Sequence, residues 1–134
     1  MTHIRISEAA LLLAVSDDTV RRWADAGRLT LTRDGSGRQV VDGAQLAALA
    51  QELAGSGSDA LDPAAGQRSA RNHFTGLVTK VTSDRVMSQV ELQCGPFRVV
   101  SLISTEAVHE LGLTVGSLAT AVVKATNVTV EAVR

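Results

Sequence analysis

A run of thirteen residues, Gly-Ser-Gly-Ser-Asp-Ala-Leu-Asp-Pro-Ala-Ala-Gly-Gln at 55–67, constrains this chain more than any other feature of it. Small, polar and helix-breaking residues fill it, and its formal charge is −2. That composition reads as a flexible tether rather than part of a core. Residues 1–54 carry helical periodicity, whereas residues 68–134 are rich in Val and Thr in period-two alternation. Two small domains of different class are therefore expected. Each is small enough that contacts between copies would help complete its core. No internal repeat is present.

Composition narrows the function classes. One Trp and two Phe, with no Tyr, leave too few rings for a base-stacking surface on single-stranded nucleic acid. The cores must instead be aliphatic. A net charge of −1 rules out a nonspecific polycation. Cys94, the sole cysteine, cannot close an internal disulfide, which suits a reducing compartment. No apolar run approaches the roughly eighteen residues of a membrane span. Ala9–Val15 is short for a leader's apolar region, and Glu8 interrupts the approach to it. A cytoplasmic protein without membrane contact is expected.

In the first half, Ser7 is placed to cap a helix over Glu8–Ala14 with Ala9, Leu12 and Leu13 buried. Ser16, followed by Asp17 and Asp18, caps a second helix that runs through Trp23 to a stop at Gly27. Two β-prone arms then flank Asp34-Gly35-Ser36-Gly37, a hairpin signal. A third helix starts near Asp42, with Leu46, Leu49, Ala50 and Leu53 as its apolar stripe. Helix, turn, helix, hairpin, helix is the order of a mainly α, winged helix-turn-helix. The segment from Ser16 to Leu29 resembles the second helix of MerR and excisionase-type DNA-binding domains. That resemblance implies a helix in the major groove and a hairpin wing on the backbone of double-stranded DNA. It puts Thr19, Arg21 and Arg22 on the groove-facing side and Arg33 and Arg38 on the wing, with Trp23 anchoring the helix. From Arg21 to Arg38 five arginines stand against Asp25 and Asp34, a local +3. Arginine grips phosphate bidentately or reads guanine edges. The alternative is a solvated charged face on a small helical module. A single such head reads few base pairs, so a dimer is expected on DNA.

The second half reads as strands over Phe74–Thr82, Arg85–Cys94, Phe97–Ser104, Ser117–Lys124 and Val128–Val133, with a short helix over Thr105–Leu111 ending at Gly112. Within Arg85–Cys94, Val86, Val90, Leu92 and Cys94 fall on one face and Arg85, Gln89, Glu91 and Gln93 on the other. Five strands and one helix suggest a small OB-like β barrel. Three blocks then resemble, in order, the Mop domain of molybdate-binding proteins (molbindins, grouped with TOBE domains). They are Ser69-Ala-Arg-Asn-His-Phe-Thr-Gly-Leu-Val, the helix segment from Ser104 to Gly116, and Lys124-Ala-Thr-Asn-Val. The resemblance implies molybdate or tungstate as a bound, non-catalytic ligand. It also implies a homo-oligomer, from dimer to hexamer, with anion sites between subunits.

The residues suit such a ligand. A tetrahedral dianion needs positive charge and donors in fixed directions, which Arg71 and Lys124, with the hydroxyls of Ser69, Ser104 and Thr126, can supply. Backbone N–H groups of Ser69–Asn72, which includes Ala70, or of Lys124–Thr126, which includes Ala125, can form an anion-holding concavity. The bland alternatives are a surface ion pair for Arg71, a strand-edge charge for Lys124 and a turn cap for Asn72. One departure stands out: Ala107 occupies a position where the family often has serine, three residues after Ser104, which puts one anion site in doubt.

His3, His73 and His109 share no metal-ligand spacing with Cys94 or one another, so no metal cation site is expected. Cys94 reads as an inert core thiol. No phosphate loop, nucleophile elbow or paired carboxylates appear, so catalysis is not expected. The leading expectation is a molybdate-responsive transcriptional regulator. The alternative is an intracellular molybdate store in which the first half has a minor role. A third reading is constitutive DNA binding, with the second half serving to oligomerise.

Overall fold

The computed structural model describes residues 2–55 and 60–133. The chain forms two compact units, Met1–Gly55 and Ser56–Arg134. In the first, β1 (His3–Arg5), α1 (Ile6–Leu13), α2 (Asp17–Asp25), β2 (Leu31–Arg33), β3 (Gln39–Asp42) and α3 (Gly43–Ala54) follow in order. Two of the three helices start where a side chain meets otherwise orphaned backbone N–H groups. Ser16 Oγ accepts from Thr19 N at 3.2 Å and opens α2, and the Asp42 carboxylate accepts from Gln45 N at 3.3 Å and opens α3.

The first helix departs from expectation. It begins at Ile6, with Arg5 at the N-cap position and Ser7 inside the first turn. The cause is β1, which pairs antiparallel with β3 (Arg5 opposite Val40) and delivers the chain to the helix earlier than the local sequence suggests. Glu8 secures the start, its Oε1 accepting from Arg5 N at 3.3 Å and Arg5 Nε at 3.0 Å. Starting there rotates the buried stripe to Ile6, Ala9 and Ala10, so Leu12, expected inside, is 68% exposed. The hairpin forms as expected, Arg33 opposite Gln39, and the sheet order is β1-β3-β2. Val20, Leu29, Val41, Leu46 and Leu49 complete the core with the α1 stripe, and Trp23 packs against it half-buried. Burying each of these larger aliphatic side chains contributes about 1.5–3 kcal/mol. Leu53, expected on the α3 stripe, is exposed.

The second unit contains β4 (Asn72–Ser83), β5 (Met87–Cys94), β6 (Phe97–Ser104), α4 (Thr105–Leu111) and β7 (Leu118–Val123), then a 3-10 turn at Ala125–Asn127. All its strands pair antiparallel in the order β6-β5-β4-β7. The long β4 serves two partners. Its first half, Asn72–Leu77, pairs with β7, and its second half, from Leu77 to Ser83, pairs with β5. Gly76 lies at the hand-over, and a register shift falls between Val78 and Lys80. A Cβ at Gly76 would lie 2.1 Å from Gln93 O, so only glycine allows this approach. The sheet curls so that β5, β6 and β7 line one apolar groove of about 480 Å³.

The result is a half-barrel, not the expected five-stranded barrel. Residues 128–133, expected as the fifth strand, have no regular structure, and Val130 is 90% exposed. Their alternation is that of a strand, but among the described residues no strand pairs with them. Val78, Val90, Leu92, Cys94 and Val108 form the core. Two expectations on β5 fail: Val86 precedes the strand and is exposed, and Glu91 is buried. Burial of Glu91 is tolerated because Arg98 on β6 pairs with its carboxylate.

Candidate oxyanion site and arginine cleft

The register of β4 and β7 assembles the first candidate site. Asn72 lies opposite Val123, so the segment Ser69–Asn72 entering β4 and the segment Lys124–Thr126 leaving β7 adjoin at one end of the sheet. Arg71 and Lys124 each flank that last paired rung. Ser69, Arg71, Lys124, Ala125 and Thr126 are exposed there, while Ala70 and Asn72 are half-buried. Arg71 Nη1 donates to the carbonyl of Arg68 at 3.3 Å, a weak tether that leaves most of its donors outward. The 3-10 turn that follows Lys124 is closed by Asn127 N donating to Lys124 O at 2.9 Å. Two cations, Arg71 and Lys124, thus adjoin at one exposed rim with the hydroxyl-bearing Ser69 and Thr126 in the same two segments.

Ser104 is not brought to that rim. It pairs opposite Met87, near the far end of the 12-residue β4, about 36–40 Å of strand path away. Its Oγ accepts from Ala107 N at 3.1 Å, capping α4, so its own proton remains available to donate outward. Ala107 offers no hydroxyl beside it.

Sequence reasoning missed a pair next to the rim. Residues 60–67, expected as tether, form turns, and Asp62 within them is 6% exposed. Its carboxylate receives Arg68 Nη1 at 2.5 Å and Nη2 at 2.8 Å, and also Ala64 N at 3.1 Å. The Arg68 guanidinium, with that amide bond, holds the Asp62 pKa down to about 2. The signal was present as Asp62-Pro63, a turn opener, but its partner lay six residues on. Residues 56–59 of the expected tether lie outside the described residues.

Cys94 is buried, its Sγ directed at Phe74 O (3.6 Å), and desolvation raises its pKa above the ordinary thiol value. His3 and His109 are exposed, and His73 lies on β4 opposite Val122. Among the described residues no group of three or more His, Cys, Asp or Glu could hold a metal ion.

A second site lies in the first unit. A polar cleft of about 370 Å³ is lined by Arg5, Asp17, Arg21, Arg33, Arg38 and Gln39, among others. Three of the five residues expected to meet DNA, Arg21, Arg33 and Arg38, therefore share one cleft. Arg21 Nη1 donates to Gln39 Oε1 at 2.9 Å, and Arg33 Nη1 to Gly37 O at 2.7 Å. The other two, Thr19 and Arg22, do not line it: Arg22 Nη2 bonds to Thr19 Oγ1 at 3.0 Å on the exposed side of α2. Arg5 joins the cleft unannounced by any local pattern, because β1 brings it there.

Geometry alone defines the second unit as a small, incomplete antiparallel β module of OB type with a cationic rim. Comparison with known sequences then names its kind. Residues 68–130 match the sequence profile of the TOBE domain. Molybdenum-pterin-binding protein 3 of Clostridium pasteurianum is 38% identical over 65 residues, which span 48% of this chain and 96% of that protein. The chain belongs to the TOBE domain family through its second unit. Among solved structures, MopII from Clostridium pasteurianum is 39% identical, with a TM-score of 0.46, covering 48% of this chain and 98% of MopII. The cytoplasmic molybdate-binding protein ModG, solved with molybdate bound, is 41% identical, with a TM-score of 0.43, covering 46% of this chain and 45% of ModG. No helix among the described residues is long and apolar enough to cross a membrane.

Proposed function

We propose that this chain is a molybdate-binding protein of the molbindin type, which holds the oxyanion and releases it unchanged; it is not an enzyme. The observation that carries the reading is the pairing of Asn72 with Val123, which brings the Arg71 and Lys124 segments together at one rim. Molybdate and tungstate are dianions of one shape, and Arg71, Lys124, Ser69 and Thr126 offer matching charge and hydroxyl donors. The name of the molybdenum-pterin-binding relative supports molybdenum as the element bound, and that of ModG supports molybdate as its form.

The site is completed in a homo-oligomer. Supporting this, the rim residues Ser69, Arg71, Lys124 and Thr126 are exposed in the single chain, the apolar groove between β6 and β7 holds no strand among the described residues, and residues 128–133 are exposed without regular structure. Ser104, far from the Arg71 rim of its own chain, meets an anion only across such an interface. Calorimetric titration of the full chain with molybdate, tungstate and sulfate tests the reading. Molybdate and tungstate bind, sulfate binds more weakly, and Arg71→Ala together with Lys124→Ala removes the binding. Absence of molybdate heat from the wild type refutes it.

A second reading adds double-stranded DNA as a partner, with a winged helix-turn-helix over residues 1–54, a tether over 55–67 and the oxyanion domain over 68–134. The arginine cleft favours it, because three arginines from α2 and the hairpin converge there. On this reading the protein is a cytoplasmic molybdate-responsive regulator rather than a store. A mobility-shift titration with and without molybdate separates the two. A regulator binds duplex DNA and loses it on Arg21→Ala with Arg22→Ala while keeping oxyanion affinity; a store shows no shift.

A further inference from the structure

The arginine cleft holds one cation that no helix or hairpin pattern explains. Arg5 stands opposite Val40 on one side of β3, and Arg33 stands opposite Gln39 on the other. The two outer strands therefore end one residue apart along β3, and the long side chains of Arg5 and Arg33, with Arg38 from the hairpin turn, reach the same cleft from there. Four arginines line the cleft against one acid, Asp17, a net +3. Like charges in one small cleft repel one another unless an anion lies among them.

Glu8 answers part of that need. It binds Arg5 through Nε at 3.0 Å, and that bond lowers its own pKa below the ordinary carboxylate value. Both terminal nitrogens of Arg5 stay outside any hydrogen bond among the described residues, in a side chain half exposed to solvent. The position is also an unusual place for arginine. At an N-cap, Ser, Thr, Asp or Asn would accept an amide of the first turn and stabilise the helix. Arg5 cannot accept, so α1 forgoes that stabilisation where the chain keeps a cation instead.

We propose that Arg5 is a phosphate-binding residue, which together with Arg33 and Arg38 grips one backbone phosphate of double-stranded DNA at this cleft. The proposal rests on the DNA-binding reading given above and extends it from α2 and the hairpin to β1. Arg5 then contributes to affinity for any sequence, because a phosphate contact carries no base information.

Salt dependence isolates such a contact. Each neutralised phosphate contributes about 0.9 to the slope of log K against log salt concentration. The full chain is titrated onto a mixed-sequence 24-base-pair duplex across salt concentrations, as wild type, Arg5→Ser, Arg5→Lys, Glu8→Gln and the Arg21→Ala, Arg22→Ala double variant. Arg5→Ser restores a capping side chain while removing the cation. It is expected to weaken binding several-fold and to flatten the slope by about 0.9 per bound head. Arg5→Lys keeps the slope, and Glu8→Gln, which frees Arg5 from its carboxylate, tightens binding. A wild type that does not bind the duplex overturns the DNA-binding reading and this proposal together. A wild type that binds, and is weakened by the double variant, but keeps its slope in Arg5→Ser overturns this proposal alone. Should Arg5→Ser melt below the wild type, Glu8→Gln decides: unchanged or weaker binding overturns the proposal.

Discussion

Gly76→Ala tests the idea that β4 turns from β7 to β5 by an approach only glycine permits. Its backbone φ is ordinary, so the cost is steric and not conformational. The added Cβ would stand 2.1 Å from Gln93 O and 2.8 Å from both Gln93 C and Cys94 Sγ. The carbonyl belongs to a paired strand and cannot swing away like the end of a side chain. To reach even a 3.0 Å contact, β5 must retreat by about 0.9 Å, an overpacking that costs about 1–3 kcal/mol. The retreat stretches one or two bonds of the β4–β5 ladder near the Leu77–Gln93 pair, each contributing about 1 kcal/mol. Together these come to about 2–5 kcal/mol, a large share of the stability of a domain this small. At about 4–8 °C per kcal/mol, the melting temperature of the second unit should fall by about 8–40 °C. Differential scanning calorimetry on the full chain reads this directly, with Gly112→Ala as the comparison. Gly112 has a φ of +64° but open space around it, so its cost is the roughly 1 kcal/mol of a left-handed alanine. Equal melting shifts for the two variants would refute the close-approach argument.

Other outcomes follow from single residues. Ala14 ends α1 at a φ of +56°, so Ala14→Gly should stabilise the first unit by about 0.5–1 kcal/mol, seen as a higher urea midpoint at unchanged m. Asp62 has its pKa depressed from 3.8 to about 2, chiefly by Arg68, so its ion pair stabilises the fold above pH 4 and is lost as pH falls toward 2. Wild type should therefore outlast Asp62→Asn in denaturant at pH 6, and the gap should close by pH 2; a gap that is constant with pH sinks this. Removal of residues 128–134 should lower the oligomeric mass in analytical ultracentrifugation without unfolding the second unit, because residues 128–133 carry no regular structure of its fold.

What the sequence made legible was local. Ser16 and Asp42 announced their helices because a cap acts within three residues, and the β2–β3 hairpin because its turn chemistry sits between its strands. The misses share one cause, a partner, present or absent, that the local pattern does not report. β1 is only three residues long and is defined by pairing with β3, so nothing near Arg5 reveals it, and the buried stripe of α1 lies out of phase with the one its local sequence suggests. Glu91 reads as a solvent-facing acid until Arg98 arrives from β6. Val128–Val133 has strand alternation, which reports what a segment could pair as, not whether a neighbour is there. The candidate site divides in the same way. Arg71 and Lys124 were identifiable from their motifs, whereas their meeting depends on the β4–β7 register, and the separation of Ser104 on the β5–β6 register.

Burial of the single thiol has a practical consequence. Cys94 closes β5 beside Phe74 O and next to the Gly76 hand-over, in a setting that disfavours its thiolate. A soluble thiol reagent can reach it only when the sheet opens, so its labelling rate is a clock for that opening. The clock needs no engineered probe and no competing cysteine has to be removed. Phe74 lies two residues from Asn72 on the same strand, so an anion seated at the rim should slow the clock in proportion to how tightly it holds β4 against β7.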